Sequence, residues 1–157
     1  MNTDYIRESN AIEGVFQESE IELSLKAWKY LSKVRAPLKI EHILECHRLI
    51  MKNLWPRIAG KFRVVDIQVG NDTDFPSCKD IKSKMDHFIT INRVAPPKDA
   101  LEALSAHLAF EAIHPFRDGN GRTGRMIYWW HCHQLGLTPI LFTAKDVQGY
   151  YSLFQGK

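Results

Sequence analysis

His114-Pro115-Phe116-Arg117-Asp118-Gly119-Asn120-Gly121-Arg122-Thr123-Gly124-Arg125 is the densest run of chemically capable residues in the chain, and its local grammar organises what flanks it. Pro115 disfavours helical backbone at His114, so the preceding helix should end there and present an imidazole to a loop, where it can titrate near neutral pH. Phe116 is the only large apolar residue of the loop and should anchor it to the core. Gly119 and Gly121 can take positive φ and bare their N–H groups, with a new helix starting near Gly121. The order is helix, loop, helix. No strand precedes the glycines and G-x-x-x-x-G-K-[ST] is absent, so this is not a P-loop.

A glycine-flanked helix start attracts anions, because unpaired N–H groups and the macrodipole point the same way. Arg122 and Arg125 are three apart and share one face of that helix, one turn from the glycines. Guanidinium forks so placed suit the outer phosphates of a polyphosphate. Asp118 offers the hard oxygen that Mg²⁺ on phosphates prefers. A lone G-x-G would read as an interhelix turn with solvated arginines. A base, a metal ligand, an anion nest and two phosphate clamps within twelve residues read as a site.

Outward from the loop, most of the chain carries the helical period. Ile21, Leu25, Trp28, Leu31 and Val34 form one amphipathic face, interrupted at Arg35-Ala36-Pro37. Ile40, Ile43, Leu44, His47, Ile50, Met51 and Leu54 form a second, in which His47 fills an apolar slot and is expected to be a core histidine with one satisfied nitrogen. Further helices are expected over about 79–93, from the N-cap Asp99 to His114 with Leu101, Leu104 and Leu108 on the buried face, from Gly121 to a stop at Gly136, and over about 144–155. One stretch changes period: Val65, Ile67 and Val69 alternate with Asp66 and Gln68 before the turn residues Gly70-Asn71-Asp72. A hairpin over 62–76 is the reading, and the fold class is all-α with this one small β-hairpin.

Composition narrows the function. A chain of 157 residues, 45% hydrophobic and 25% charged, is sized and composed as one globular domain. A net charge of +3 is too small to advertise nucleic acid, so none is expected as a partner. Three widely spaced cysteines without C-x-x-C fit a reducing compartment. No apolar leader and no run of membrane-spanning length is seen, and the expectation is a cytoplasmic protein without membrane partners.

The twelve-residue run resembles the signature H-x-F-x-[DE]-G-N-G-R-x-x-R of the Fic (filamentation induced by cAMP) family, with all eight specified positions met. The resemblance implies transfer of AMP from ATP-Mg to a hydroxyl side chain of a target protein. By it, His114 would be the general base and Asp118 would hold Mg²⁺. Gly119, Asn120 and Gly121 would cradle the α- and β-phosphates, Arg122 would grip the β-phosphate and Arg125 the γ-phosphate. In the related Doc kinase toxins the position of Gly121 is a lysine and the γ-phosphate is transferred, so glycine favours AMP transfer. The same site could instead remove AMP from a target or move another phosphate-linked moiety. A non-catalytic nucleotide-binding module is the alternative of another class.

Three more segments extend the resemblance. Ser9-Asn10-Ala11-Ile12-Glu13-Gly14 is similar to the family's inhibitory motif [ST]-x-x-x-E-[GN], in the subgroup with an N-terminal inhibitory helix, here 3–14. By that similarity Ser9 and Glu13 are the inhibitory residues, and Glu13 would pair with Arg125 and block the γ-phosphate clamp, whereas on the residues alone a glutamate at a helix end is commonly a solvated one. The 62–76 hairpin looks like the family's flap, whose Val65, Ile67 and Val69 would register an extended target segment by main-chain pairing; a hairpin covering the core is the plainer reading. Tyr150-Tyr151 resembles an aromatic pair near the adenine pocket, though tyrosines at helical positions commonly pack. Homodimer formation is a further expectation, since inhibited relatives often self-associate. His131-Cys132-His133 is set aside as a metal site, because neighbours two apart on a helix diverge by roughly 200°. Trp129-Trp130 is expected to be half core and half surface.

Overall fold

The helix after the glycine loop is the axis around which the rest is packed. The structure, a computed structural model, describes residues 3–68 and 75–153. Seven helices occur among the described residues: α1 (Thr3–Ile12), α2 (Glu18–Leu31), α3 (Ile40–Met51), α4 (Ile81–Val94), α5 (Ala100–Ile113), α6 (Asn120–Gln134) and α7 (Val147–Ser152), with a 3-10 turn at Ala144–Asp146. Every residue of α6 from Arg122 to Cys132 is buried, because α1, α2, α3 and α5 all pack on it. A helix enclosed on all sides shows no amphipathic stripe. Trp129 and Trp130 therefore differ from expectation, and both are core. Trp129 meets Tyr5 and Trp28 edge to face, while Trp130 donates its indole N–H to the Val34 carbonyl on the other side.

Capping residues set several boundaries. Asp99 accepts the Glu102 N–H at 2.8 Å and the Glu102 carboxylate accepts the Lys98 N–H at 2.9 Å, a reciprocal start for α5. At the end of α1 the Gly14 N–H returns to the Ala11 carbonyl and the Val15 N–H to the Asn10 carbonyl. That Schellman closure needs left-handed backbone at Gly14, which has φ 69°. It holds Glu13 on the last turn. Along α6 the first-turn N–H groups have no side-chain cap, since the N-cap is Gly119.

The buried face of α5 is not the leucine row. Ala103, His107, Phe110 and Glu111 are buried, whereas Leu101 is 72% exposed. Polar side chains claim that face because α6 and α7 offer them partners: the His107 Nε2 lies 3.0 Å from the Tyr150 hydroxyl. Periodicity counts apolar residues and could not weigh such a partner.

The expected hairpin is corrected too. Among the described residues no strand occurs, and 62–68 and 75–76 are irregular; Val69 and the turn 70–72 lie outside the described residues. One buried side chain takes the carbonyls that a ladder would have used. The Arg63 guanidinium donates to the Val65 carbonyl and to the Pro76 carbonyl, tying the two arms through its fork rather than through paired strands. Pro76 has no N–H to return. No helix among the described residues is long and apolar enough to cross a membrane.

Burial of α6 also has a pH signature. Enclosure pushes the His131 imidazole down from 6.5 to about 4. Between those values the unfolded chain binds a proton at this ring and the folded chain does not, so the free energy of unfolding rises with pH across that window. His131→Leu should reduce the slope between pH 4 and 6.5, leaving the share of His47, which burial also lowers to about 4, read from denaturant midpoints at several pH values. An unchanged slope would exclude His131 as its source.

Candidate active site

His114 closes α5 in a left-handed conformation, with φ 48° and ψ 61°. That turn swings the imidazole out of the helix, leaving its side chain 19% exposed. Nδ1 lies 3.3 Å from the Glu111 carbonyl, a contact that calls for the proton on Nδ1 and leaves the lone pair on Nε2. The Glu111 carboxylate stands 3.8 Å from the same nitrogen. Burial is the main reason the His114 pKa lies below the ordinary value; Arg63 lowers it further, and the Glu111 carbonyl, Glu13 and Asp118 work against them. The ring is thereby kept neutral at neutral pH, as a proton acceptor must be.

The loop beyond is braced at several residues. Phe116 is fully buried, and the Asn120 carboxamide accepts from the Phe116 N–H and donates to the Phe116 carbonyl at 2.8 and 2.9 Å. Asn120 is thus a clasp, and only its backbone is left to face a ligand. Arg63 adds a backbone bond to the Pro115 carbonyl and a guanidinium bond to the His114 carbonyl. Gly119 takes φ 80°, but Gly121 is helical, contrary to the expectation of positive φ at both. Gly121 serves space instead: a Cβ there would collide with the Glu13 Oε1 and lie 3.0 Å from the Arg125 Nη1.

Two arginines lie inside this helix start. Arg122 is 2% exposed, its Nη2 lies 3.2 Å from the Met51 sulfur and 4.0 Å from the Asp118 Oδ1, and its Nε and Nη1 have no hydrogen-bond partner among the described residues. Burial lowers its pKa, offset in part by Asp118 and Glu13. Arg125 is fully enclosed and better served. It donates to the Ser9 hydroxyl, to the Ser9 carbonyl and to Glu13 at 2.8, 2.9 and 2.7 Å, and lies 5.1 Å above the Tyr150 ring. Burial opposes its charge, but Tyr150, Glu13 and Glu111 more than offset that and hold its pKa above the ordinary value.

The structure thus brings His114, Asp118, Gly119, Asn120, Gly121, Arg122 and Arg125 together, with Ser9 and Glu13 on Arg125. Tyr150 is buried beneath Arg125, while Tyr151 is 41% exposed. Val65 is exposed and Ile67 half-buried; Val69 lies outside the described residues.

Residues 37–132 match the model of the Fic/DOC family. The chain belongs to that family. It is 30% identical over 149 residues to protein adenylyltransferase fic-1 of Caenorhabditis briggsae, an alignment covering 94% of this chain and 29% of that protein. It is 29% identical over 121 residues to protein adenylyltransferase Fic of Aedes aegypti, covering 75% and 24%. The chain therefore spans less than a third of the length of these relatives. A solved Fic-domain-containing signaling protein from Bacteroides thetaiotaomicron superposes with a TM-score of 0.83 at 17% identity, covering 98% of this chain and 70% of that one. A fragment of Fic-1 from C. elegans gives 0.80 at 21%, covering 98% and 54%. These structures share the fold of this chain.

Sequence reasoning passed over Arg63 and Glu111 behind the Fic loop, and it named Tyr150 only for the adenine side, not as the ring beneath Arg125. The only signal for Arg63 was a lone arginine ahead of an apolar run, and Glu111 sits where an apolar residue would continue the α5 face. Arg122 makes a sharper prediction. A buried guanidinium with idle donors costs stability, and an incoming anion that pairs with it restores that stability. Arg122→Met should match or raise the Tm of the ligand-free protein while abolishing the Tm rise that pyrophosphate gives the unaltered one. A fall of several degrees without ligand would contradict this.

Proposed function

We propose that this Fic domain is a protein adenylyltransferase, moving AMP from ATP to a hydroxyl side chain of a target protein. The observation that carries the reading is Arg122: a buried cation with two idle donors at an uncapped helix start, in the loop-and-helix unit that His114 opens. Fully enclosed charge needs a counter-charge, and a polyphosphate supplies it. The N–H groups of Asn120, Gly121 and Arg122 are the natural donors to the α- and β-phosphates, with Arg122 on the β-phosphate and Arg125 on the γ-phosphate.

His114 Nε2 takes the proton of the target hydroxyl as its oxygen bonds to the α-phosphorus, and the bond from that phosphorus to the bridging oxygen breaks to release pyrophosphate. A positioned base of this kind contributes typically 10²–10⁴-fold. Asp118 would hold Mg²⁺. Its half-exposed carboxylate beside the nest suits an ion that takes one or two carboxylates and draws its other ligands from phosphates and water. No cluster of three or more metal-ligating side chains is present among the described residues. When bound, Mg²⁺ neutralises charge on the phosphoryl oxygens.

Glu13 is the brake in this reading. Its carboxylate occupies the guanidinium that would bind the γ-phosphate, so ATP would lie unproductively until α1 lets go. The test uses ATP labelled on the α- or, separately, the γ-phosphate, with Mg²⁺ and a cell lysate as target pool. Label from the α-phosphate only, stronger in Glu13→Gly and abolished in His114→Ala with ATP binding retained, is the expected result. Label from the γ-phosphate would show that another bond breaks, and unchanged labelling in Glu13→Gly would remove the brake. No labelling with ATP binding intact would favour a binding module.

The segment from Val65 to Val69 is proposed to align the target strand beside the α-phosphate. Arg63, just before it, bonds both the Val65 and the His114 carbonyls, and Val64 and Val65 expose apolar surface beside the loop. Ile67→Pro should lower target modification at least about tenfold while leaving ATP affinity within about twofold, because one lost main-chain bond and a fixed φ disturb pairing locally. Equal loss of both would assign the segment a structural part instead.

A further inference from the structure

His47 sits on α3, outside the signature, and is completely buried. Both ring nitrogens are engaged, one more than its sequence position suggested. The Gly60 N–H donates to Nδ1 at 2.9 Å, and Nε2 lies 2.9 Å from the Asp118 carbonyl. A lone pair used at Nδ1 puts the proton on Nε2, so the ring donates to Asp118. The imidazole also lies flat on Phe116, with centroids 3.7 Å apart and planes 2° from parallel.

These contacts converge on one peptide. The Asp118 carbonyl directly precedes Gly119, whose left-handed φ turns the chain into α6. A Cβ at Gly119 would lie 2.7 Å from the Met51 sulfur and 3.3 Å from the His47 Cδ2, so α3 is pressed against the turn. The same ring holds Gly60, three residues before Arg63, which in turn bonds the His114 and Pro115 carbonyls. We infer that His47 is a positioning residue: by donating to the Asp118 carbonyl and accepting from Gly60, it sets the peptide from which the metal-ligating carboxylate and the phosphate-binding N–H groups project, and ties it to the root of the target-binding segment. It touches no substrate and acts through Asp118 and Gly119. The activity arm of its test rests on the adenylyltransferase reading; the binding and spectroscopic arms do not.

Two substitutions divide the ring. In His47→Gln the terminal amide reaches the Nε2 position and keeps a donor for Asp118; in His47→Asn the amide oxygen occupies the Nδ1 position and keeps an acceptor for Gly60. Both lose the stack on Phe116. Made in Glu13→Gly protein, they are compared for kcat and KM with Mg-ATP, for affinity for inorganic pyrophosphate, for Tm, and for the amide resonances of Gly119 and Asn120. A positioning role predicts comparable losses of Tm. Asn should lose about tenfold or more in kcat/KM and shift the Gly119 amide, while Gln stays within about threefold, since one buried acceptor is orphaned only in the former.

Equal kcat/KM and unshifted amides in both would make His47 a packing residue and overturn the inference. If Glu13→Gly itself transfers no AMP, the adenylyltransferase reading fails. The pyrophosphate affinity and the Gly119 amide then still separate Asn from Gln, or fail to do so and overturn the inference. Should neither variant fold, the unaltered protein answers. Its His47 Nε2–H should appear as a slowly exchanging proton close to the Gly119 amide, and protonation at Nδ1 instead would overturn the assignment.

Discussion

The chain buries two guanidinium groups on successive turns of its most enclosed helix, and much of the surrounding structure makes that tolerable. Taking a cation out of water costs several kcal/mol unless partners replace the hydration. Arg125 is compensated within the protein. The hydroxyl and carbonyl of Ser9, the carboxylate of Glu13 and the face of Tyr150 surround it. Arg122, one turn earlier, receives a sulfur and a distant carboxylate. The contrast is one of degree: Arg125 keeps only its Nη1 without a hydrogen-bond partner among the described residues, whereas Arg122 keeps both Nε and Nη1.

It also gives α1 its place. Asn10 accepts from the Ser24 hydroxyl and donates to the Ile6 carbonyl, and Tyr5 and Glu8 bond the Pro139 carbonyl and the Ala144 N–H. Those contacts are each modest, of the order of 1 kcal/mol net. Removing one partner of a buried ion pair costs about 3–5 kcal/mol, because the other charge is left unpaired. A γ-phosphate offered to Arg125 changes this balance, since it replaces the carboxylate rather than merely displacing it. Under the proposed function, release of Glu13 and binding of nucleotide are therefore linked through one guanidinium, and each must weaken the other equally.

What the sequence made legible is what short-range physics controls. Helix boundaries followed from Pro115, Asp99 and the closing glycines, and the loop after His114 followed from its own residue types. What it concealed was buried polarity. His107 and Glu111 face inwards on α5 although Leu101 looked the better core residue, because a carboxylate and an imidazole become acceptable inside only when tertiary partners meet them. The alternating run after Phe62 read as a hairpin because period two is a strand signal, yet one arginine fork takes the carbonyls of both arms. No local pattern announces that a side chain will substitute for a ladder.

Gly121 shows how the loop and the N-terminal helix constrain each other. Its backbone is helical, so φ does not require glycine, and alanine would favour the helix by roughly 0.8–1 kcal/mol. Space favours it: with Glu13 in this position a Cβ would run into its carboxylate beside Arg125, and the carboxylate would have to move. A residue with a long side chain at 121 could not coexist with Glu13 in this position, whatever its effect on phosphate binding. The small residue that leaves the α-phosphate approachable is thus the same one that lets the carboxylate reach its arginine. Under the proposed function, the reaction the loop favours and the restraint that holds it back depend on one missing methyl group.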